Sequence, residues 1–238
     1  MKKKFLLLLL LNTLLSAENY LKELQERGIT FQKEGKTITI KREKNPLCTP
    51  KMLNPNSLFG ESYAGEKVPK VCKKTFVTHV GVLQPMRLTQ HLNTVGEVEV
   101  LNHILASSKA PDEYILIDAR SPQWYRQMTI PTAINLPFDT IKYDEDIYED
   151  DFQSTKEYET YRTNYQRLFR LLNIKKTKKG LDFSHAKIAL IFCNGSWCSQ
   201  SPNAIRYLIN LGYPTKKLLW YRGGMQDWLI YDFTVEKF

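Results

Sequence analysis

The chain has 238 residues, of which 42% are hydrophobic and 25% are charged, a composition typical of a globular protein with one substantial core and a smaller appended unit. Lysine and arginine total 34 against 25 acidic residues, but the basic residues are scattered along the sequence. Because they form no basic face with interleaved aromatic residues, the sequence argues against a nucleic-acid-binding protein, and we expect no nucleic-acid partner.

The N-terminus has the three parts of a secretory signal peptide. Residues 2–4 are lysines, residues 5–15 are mostly leucine, and residues 16–17 are small enough for cleavage. The apolar run is shorter than the about 20 residues that span a bilayer, and no later segment approaches that length. We therefore predict a signal peptide at 1–17, a periplasmic or secreted mature protein and no membrane span after cleavage. An uncleaved N-terminal anchor is the alternative.

Residues 18–86 are predicted to form an N-terminal extension with little core of its own. A short amphipathic helix that ends at Gly28 and an exposed strand around Ile38 are followed by a stretch rich in proline, asparagine and glycine. Cys48 and Cys72 lie in this stretch. A disulfide between them would stabilise the extension by about 2–4 kcal/mol in an oxidising compartment, so we predict that bond, with two free buried thiols as the alternative.

From residue 87 the sequence alternates between helical and strand patterns. A helical spacing of apolar residues follows Thr94, two short strands follow that helix, and AKIALIFC predicts a strand that is buried on both faces. The next helix has Ser201 as its predicted N-cap and is followed by a last strand and a last helix. This alternation predicts an α/β domain over 87–238, with a mostly parallel central sheet and helices on both faces.

A long segment near 140–184 interrupts this alternation. It opens with an acidic patch at 144–151 and continues with a helical stretch that contains Tyr161, Tyr165 and Phe169. The segment is either a helical surface insertion, which proteins tolerate at little cost, or a lid or a surface for a protein partner.

The loop after the buried strand predicts a nucleophilic site. Cys193 is the last residue of that strand, and the loop leads directly into a helix. Ligands gather at the carboxyl ends of parallel strands, and a helix N-terminus can lower the pKa of a thiol from about 8.5 toward neutrality. Gly195 allows the backbone to turn inward at this point.

Three motifs in this region resemble the rhodanese-like domain. In order they are LIDARSPQWYRQMTIPTAINLP, IFCNGSWCSQSPNAIRYLINLGY and WYRGGMQDW, and the resemblance extends from about residue 94 to 234. It implies a rhodanese-like fold and sulfurtransfer without a cofactor: a cysteine takes a sulfane sulfur from a small donor, carries it as a persulfide and passes it to a thiophilic acceptor such as a thiol or cyanide. Cys193 matches the sulfur carrier of the family. The matching active-site loop consists of Asn194, Gly195, Ser196, Trp197, Cys198 and Ser199.

The charged residues around this loop bear on the sulfur donor. Asp118 and Arg120 match a pair that, in the family, fixes the active-site side of the sheet. Residues 194–203 contain no arginine or lysine. Backbone amides alone would therefore hold a thiosulfate dianion, unless Arg222 reaches into the loop. The sequence does not decide between thiosulfate and a persulfide as the sulfur donor.

Cys198 leaves other functions open. It is either a resolving thiol, one half of a thiol–disulfide redox pair with Cys193, or a small apolar residue that fills space. Four residues separate the two cysteines, whereas the usual redox motif has two. A non-catalytic binding module is a further alternative, with a protein partner on the N-terminal extension or the acidic insertion. The histidines lack ligand spacing, so we expect no metal site. A related phosphatase loop would need arginine at Ser199, so phosphatase activity is not expected.

Overall fold

The structure is a computed structural model that describes residues 27–42, 46–47, 71 and 81–238. The chain divides into two compact units, one made of residues 1–72 and 231–234 and the other of residues 73–230 and 235–238. The predicted signal peptide and the predicted Cys48–Cys72 disulfide lie outside the described residues and stay predictions.

The described part of the first unit is a β-hairpin. Strand β1 (Ile29–Lys33) pairs with the antiparallel strand β2 (Lys36–Ile40), and Ile29 pairs with Ile40 in the register. The two-residue connection has positive φ at both Glu34 and Gly35, which is the turn that matches the twist of a hairpin. The strand predicted around Ile38 is confirmed, whereas β1 was not predicted.

The second unit contains a five-stranded sheet flanked by helices. The sheet order is β3–β9–β8–β4–β5, and every neighbouring pair is parallel. The predicted α/β architecture is confirmed, and this sheet is parallel throughout rather than mostly so. The elements of the unit are β3 (Asn93–Val95), α1 (Glu97–Lys109), β4 (Tyr114–Asp118), α2 (Pro122–Gln127), β5 (Ile134–Asn135), α3 (Thr155–Leu172), β6 (Lys175–Thr177), β7 (Gly180–Asp182), β8 (Ile188–Phe192), α4 (Gln200–Asn210), β9 (Leu218–Tyr221) and α5 (Gly224–Ile230).

The central strand β8 explains why the sheet forms as it does. Residues 189–192 are fully buried and apolar, so successive side chains are covered on both faces of the strand. On one face they join a core that includes residues of α4 and β9. Each large apolar side chain buried there contributes about 1.5–3 kcal/mol relative to exposure.

The segment near 140–184 is partly core and partly surface. Its acidic residues at 144–151 are exposed. Helix α3 begins after Ser154, whose hydroxyl accepts a hydrogen bond from the Glu157 amide, and three of its last residues belong to the main core: Leu168, Phe169 and Leu172. The antiparallel hairpin β6–β7 follows and was not predicted. The helix is therefore a structural part of the domain, while the acidic portion is open to solvent.

Two neighbouring strands bring the predicted site residues to one edge. Asp118 at the end of β4 is in register with Phe192 at the end of β8, and the Ala119 amide donates to the Phe192 carbonyl oxygen at 2.9 Å. Arg120 and Cys193, which follow these strands, consequently start from the same edge of the sheet. Within the described part of the chain, no helix has both the length and the apolar character needed to cross a bilayer.

Candidate active site

The loop after β8 folds back toward its own start. The Cys198 amide donates to the Gly195 carbonyl oxygen at 2.9 Å, which closes a tight turn inside the loop. Helix α5 holds the loop from the other side, because the Met225 amide donates to the Cys193 carbonyl oxygen at 3.0 Å. Gly224 has φ of 56°, and a Cβ there would overlap that same carbonyl oxygen. A glycine is therefore required where α5 meets the loop.

Ser201 is aimed at the sulfur of Cys193. Its Oγ lies 3.0 Å from Cys193 Sγ, and it accepts a hydrogen bond from Trp220 Nε1 at 3.1 Å. The indole N–H thus uses a lone pair of the Ser201 hydroxyl oxygen, and the hydroxyl donates its own proton to the sulfur. The prediction that Ser201 caps the helix is wrong. Helix α4 begins two residues earlier than predicted, at Gln200, with Ser199 in the N-cap position, and the Ser201 hydroxyl is engaged inside the core instead.

The two thiols of the loop have opposite pKa shifts. Burial raises the pKa of Cys193 well above its ordinary value, and a hydrogen bond with the Cys198 thiol adds to this increase. The pKa of Cys198 falls to about 7, chiefly because the Cys193 thiol donates to it. The expectation that the helix N-terminus lowers the pKa of Cys193 is therefore wrong, because desolvation outweighs the donors from Ser201. The lowered pKa belongs to Cys198.

Further donors surround the Cys198 sulfur. The backbone amides of Asn194 and Gln200 donate to it, and the positive charge of Arg120 also favours its thiolate. Both cysteines are nevertheless buried, and neither is in a disulfide. Within the loop, burial therefore favours the neutral thiol at Cys193, whereas hydrogen bonds make the neighbouring Cys198 thiol easier to ionise.

Asp118 and Arg120 form a buried ion pair that reaches the loop. Arg120 Nε and Nη2 donate to the Asp118 carboxylate at 2.9 and 2.6 Å, and Thr129 donates to the same carboxylate at 2.8 Å. Arg120 Nη1 donates to Asn194 Oδ1 at 3.3 Å. The pair therefore holds Asn194, the first residue of the active-site loop, in place.

Arg222 does not point into the loop as a cation for the sulfur donor. Its Nε and Nη2 donate to the Gln84 carbonyl oxygen at 3.1 and 2.8 Å. This holds a short segment, residues 81–84, against the active-site loop, and we call that segment the strap. The strap amides of Val82 and Gln84 donate to the carbonyl oxygens of Trp197 and Ser196, at 3.0 and 2.8 Å.

The strap was not predicted from the sequence. It lies before the region of the rhodanese-like resemblance. Its contacts with the loop are hydrogen bonds between backbone atoms, which produce no recognisable pattern of side chains in the sequence. Gly81 gives one signal, because its φ is 81° and a Cβ there would overlap the Trp197 carbonyl oxygen. On the opposite side of the loop, Trp197 Nε1 donates to Gln226 Oε1 at 2.6 Å. The loop is therefore fixed both by the strap and by α5.

The family of the chain follows from a comparison with family models. The model for the rhodanese-like domain matches residues 99–230, which include β4, the cysteine loop and α5. This protein belongs to the rhodanese-like family, as the three sequence motifs predicted. No curated protein matches the sequence.

Solved structures with a similar fold come from several organisms. The BH2092 protein of Bacillus halodurans is 21% identical, with a TM-score of 0.38, over 61% of this chain and 77% of that one. A rhodanese with anions from E. coli is 19% identical, with a TM-score of 0.30, over 52% and 98%. A thiosulfate sulfurtransferase from Pseudomonas aeruginosa is 17% identical, with a TM-score of 0.37, over 62% of this chain and 21% of that one.

Proposed function

We propose that this protein is a sulfurtransferase in which Cys193 carries sulfane sulfur as a persulfide from a small donor to a thiophilic acceptor. The supporting observation is that Cys193 and Cys198 lie close together at the carboxyl end of the central strand, with Cys193 Sγ 3.6 Å from the Cys198 carbonyl oxygen. The Ser201 hydroxyl, directed at Cys193 Sγ from 3.0 Å, supplies a hydrogen bond for a sulfur anion at that position.

Cys198 provides the base that the buried Cys193 needs. As Cys193 Sγ attacks the outer sulfur of the donor, its proton passes to the Cys198 thiolate with which it is hydrogen-bonded. The donor S–S bond breaks, and its electron pair leaves on the donor thiolate, or on sulfite when the donor is thiosulfate. A new S–S bond joins Cys193 to the sulfane sulfur. An acceptor then attacks that sulfur, and Cys193 leaves as a thiolate.

A persulfide is the donor that the surroundings favour over thiosulfate. Thiosulfate brings two negative charges, and residues 194–203 contain no lysine or arginine. Arg222 donates to the strap carbonyl, and Arg120 is paired with Asp118. A persulfide, with at most one charge, requires less compensation at a buried site.

Peptide-mapped mass spectrometry tests the proposed function. Incubation of Cys198→Ser with a glutathione persulfide should add about 32 Da to the peptide that contains Cys193, since this variant keeps the carrier. Formation should be slower than in the wild type because serine is a poor base. Cys193→Ser should gain no such adduct. An adduct on Cys198 of the wild type, or no adduct in any variant, would contradict the assignment of Cys193 as carrier.

A thiol–disulfide redox protein is the second candidate, and the contact between Cys193 and Cys198 favours it. A redox function requires both thiols equally, so either serine substitution should abolish dithiol turnover. A binding module requires neither of them. A partner for such a module would meet the N-terminal extension or the exposed acidic residues at 144–151, and neither serine substitution would then weaken its binding.

The proposed compartment is the periplasm or the extracellular space, because residues 1–17 have the sequence pattern of a signal peptide. Sequencing the N-terminus of the mature protein tests this proposal. Cleavage should leave a chain that starts near Glu18, and recovery of an intact Met1 in a soluble cytoplasmic fraction would contradict it.

A further inference from the structure

The turn inside the loop brings Cys198 back beside Cys193, although the two cysteines are five positions apart in the sequence. The hydrogen bond between the Cys198 amide and the Gly195 carbonyl oxygen reverses the chain between the two cysteines. Cys193 Sγ then lies 3.6 Å from the Cys198 carbonyl oxygen, and the two thiols are close enough for each to shift the pKa of the other. A carrier of sulfur needs one cysteine, and a thiol this close to it can react with the carrier as well as act as its base.

The surroundings of Cys198 are those of a nucleophile rather than of a space-filling side chain. A cysteine that only fills a gap needs apolar neighbours. The Cys198 sulfur instead receives hydrogen bonds from two backbone amides and lies 3.6 Å from Gln200 Oε1. The two amides favour a thiolate beside Cys193, and Gln200 Oε1 accepts the hydrogen bond of the Cys198 thiol when that thiol is protonated.

Burial makes Cys198 the nearest acceptor for a persulfide on Cys193. Cys193 is 2% exposed, and Cys198 is 5% exposed. An external acceptor must displace part of the loop to reach the carrier, whereas Cys198 is already in contact with it. Intramolecular attack from such a position has a large advantage over a bimolecular reaction.

We propose that Cys198 releases the sulfane sulfur of the Cys193 persulfide as hydrosulfide by closing a Cys193–Cys198 disulfide. This inference rests on the proposed function. The Cys198 thiolate attacks Cys193 Sγ, and the bond from Cys193 Sγ to the sulfane sulfur breaks. The sulfane sulfur leaves with the electron pair as HS⁻. The two cysteines are oxidised, and the sulfane sulfur is reduced.

The same pair of cysteines thereby gives the protein a second activity, the reduction of persulfides to sulfide. Each cycle leaves a disulfide, so turnover requires an external dithiol, which attacks the disulfide and returns both thiols. Cys198 has two successive functions in this scheme: it accepts the proton of Cys193 during loading, and after losing that proton it attacks Cys193. Its pKa of about 7 suits the first step near neutral pH. In the second step Cys193 has no proton left to donate, and the amides of Asn194 and Gln200 and the charge of Arg120 are the groups that still favour the thiolate.

A single-turnover experiment with the full chain tests this inference. The reduced protein is mixed with one equivalent of glutathione persulfide without any dithiol, and both hydrosulfide and protein mass are measured. The wild type should release about one hydrosulfide per chain and lose about 2 Da, and peptide mapping should locate a disulfide between Cys193 and Cys198. Cys198→Ser should retain the sulfur on Cys193 and release about tenfold less hydrosulfide. The Cys193→Ser variant is the control, because any hydrosulfide in its presence comes from breakdown of the donor itself.

The outcomes separate this inference from the proposed function. A wild-type chain that keeps the sulfane sulfur and forms no disulfide would overturn the inference and leave the proposed function intact. A disulfide that forms without hydrosulfide above the Cys193→Ser background would also overturn it, in favour of the redox candidate. Absence of an adduct from Cys198→Ser, together with absence of hydrosulfide from the wild type, would overturn the proposed function as well.

Discussion

Two pairs of polar side chains follow adjacent strands of the sheet, and burial has a different effect on each pair. Asp118 and Arg120, after β4, are 0% and 1% exposed and compensate each other as opposite charges. Cys193 and Cys198, after β8, are similarly buried, but only Cys198 has a lowered pKa. The difference teaches that burial and hydrogen-bond donors compete in setting a thiol pKa in this interior: desolvation prevails at Cys193, whereas the donors around Cys198 outweigh it.

The ion pair should be the more costly of the two to break. Replacement of Arg120 by Met leaves the Asp118 carboxylate buried without its main partner. It also removes the hydrogen bond that Arg120 donates to Asn194 in the loop. We expect the free energy of unfolding to fall by about 3–5 kcal/mol, as for other buried pairs that lose one member. Urea denaturation measures the change. Arg126→Met, on the exposed surface of α2, is the matched control and should change stability by less than about 0.5 kcal/mol.

The donors around Cys193 should have an intermediate effect. Ser201→Ala removes the hydroxyl that contacts the sulfur and leaves the buried Trp220 indole without that acceptor. An unsatisfied buried donor costs about 1–3 kcal/mol, which urea denaturation can detect. In a double-mutant cycle with Trp220→Phe, the combined loss should be smaller than the sum of the single losses, because both remove the same hydrogen bond. Additive losses would contradict the coupling.

The strap offers a test of how far the loop depends on backbone contacts. Gly81→Ala combines the cost of a residue with positive φ with an overlap at the Trp197 carbonyl oxygen. We expect the Val82 and Gln84 amides to exchange hydrogen at least about tenfold faster. Gly35→Ala is the matched control, because Gly35 also has positive φ but a Cβ there meets nothing within 4 Å. Equal exchange in both variants would show that the strap contributes little to the loop.

The smallest expected effect concerns the pH at which Cys198 reacts. With its pKa near 7, the thiolate fraction rises as pH increases through that value, so peptide-mapped alkylation should accelerate between pH 6 and 8 and then level off. Cys193→Ala removes the donor that lowers this pKa, while Arg120 remains. The midpoint should therefore move upward by about one pH unit at most, equivalent to about 1.4 kcal/mol. A downward shift would contradict the assigned hydrogen bond.

The sequence predicted the parallel sheet because β8 is an uninterrupted apolar strand and because three family motifs occur in order. The resemblance to the family also implied that Asp118 and Arg120 lie on the active-site side of the sheet. The sequence did not predict the order of the two thiol pKa values, which depends on the turn at Gly195 and on the balance between desolvation and individual hydrogen bonds. The strap was not predicted for a related reason. Its hydrogen bond to Trp197 joins backbone atoms, so the sequence is constrained only at Gly81, where a Cβ would overlap the Trp197 carbonyl oxygen.

Helix α3 has a consequence for other proteins of this family. Leu168, Phe169 and Leu172 fill space in the same core as Ala189 and Ala204. A relative with a shorter chain at this point would be left with a void beside its sheet unless bulkier side chains replaced those alanines. Gain or loss of this helix during evolution should therefore be accompanied by compensating changes of side-chain volume on the sheet and on α4.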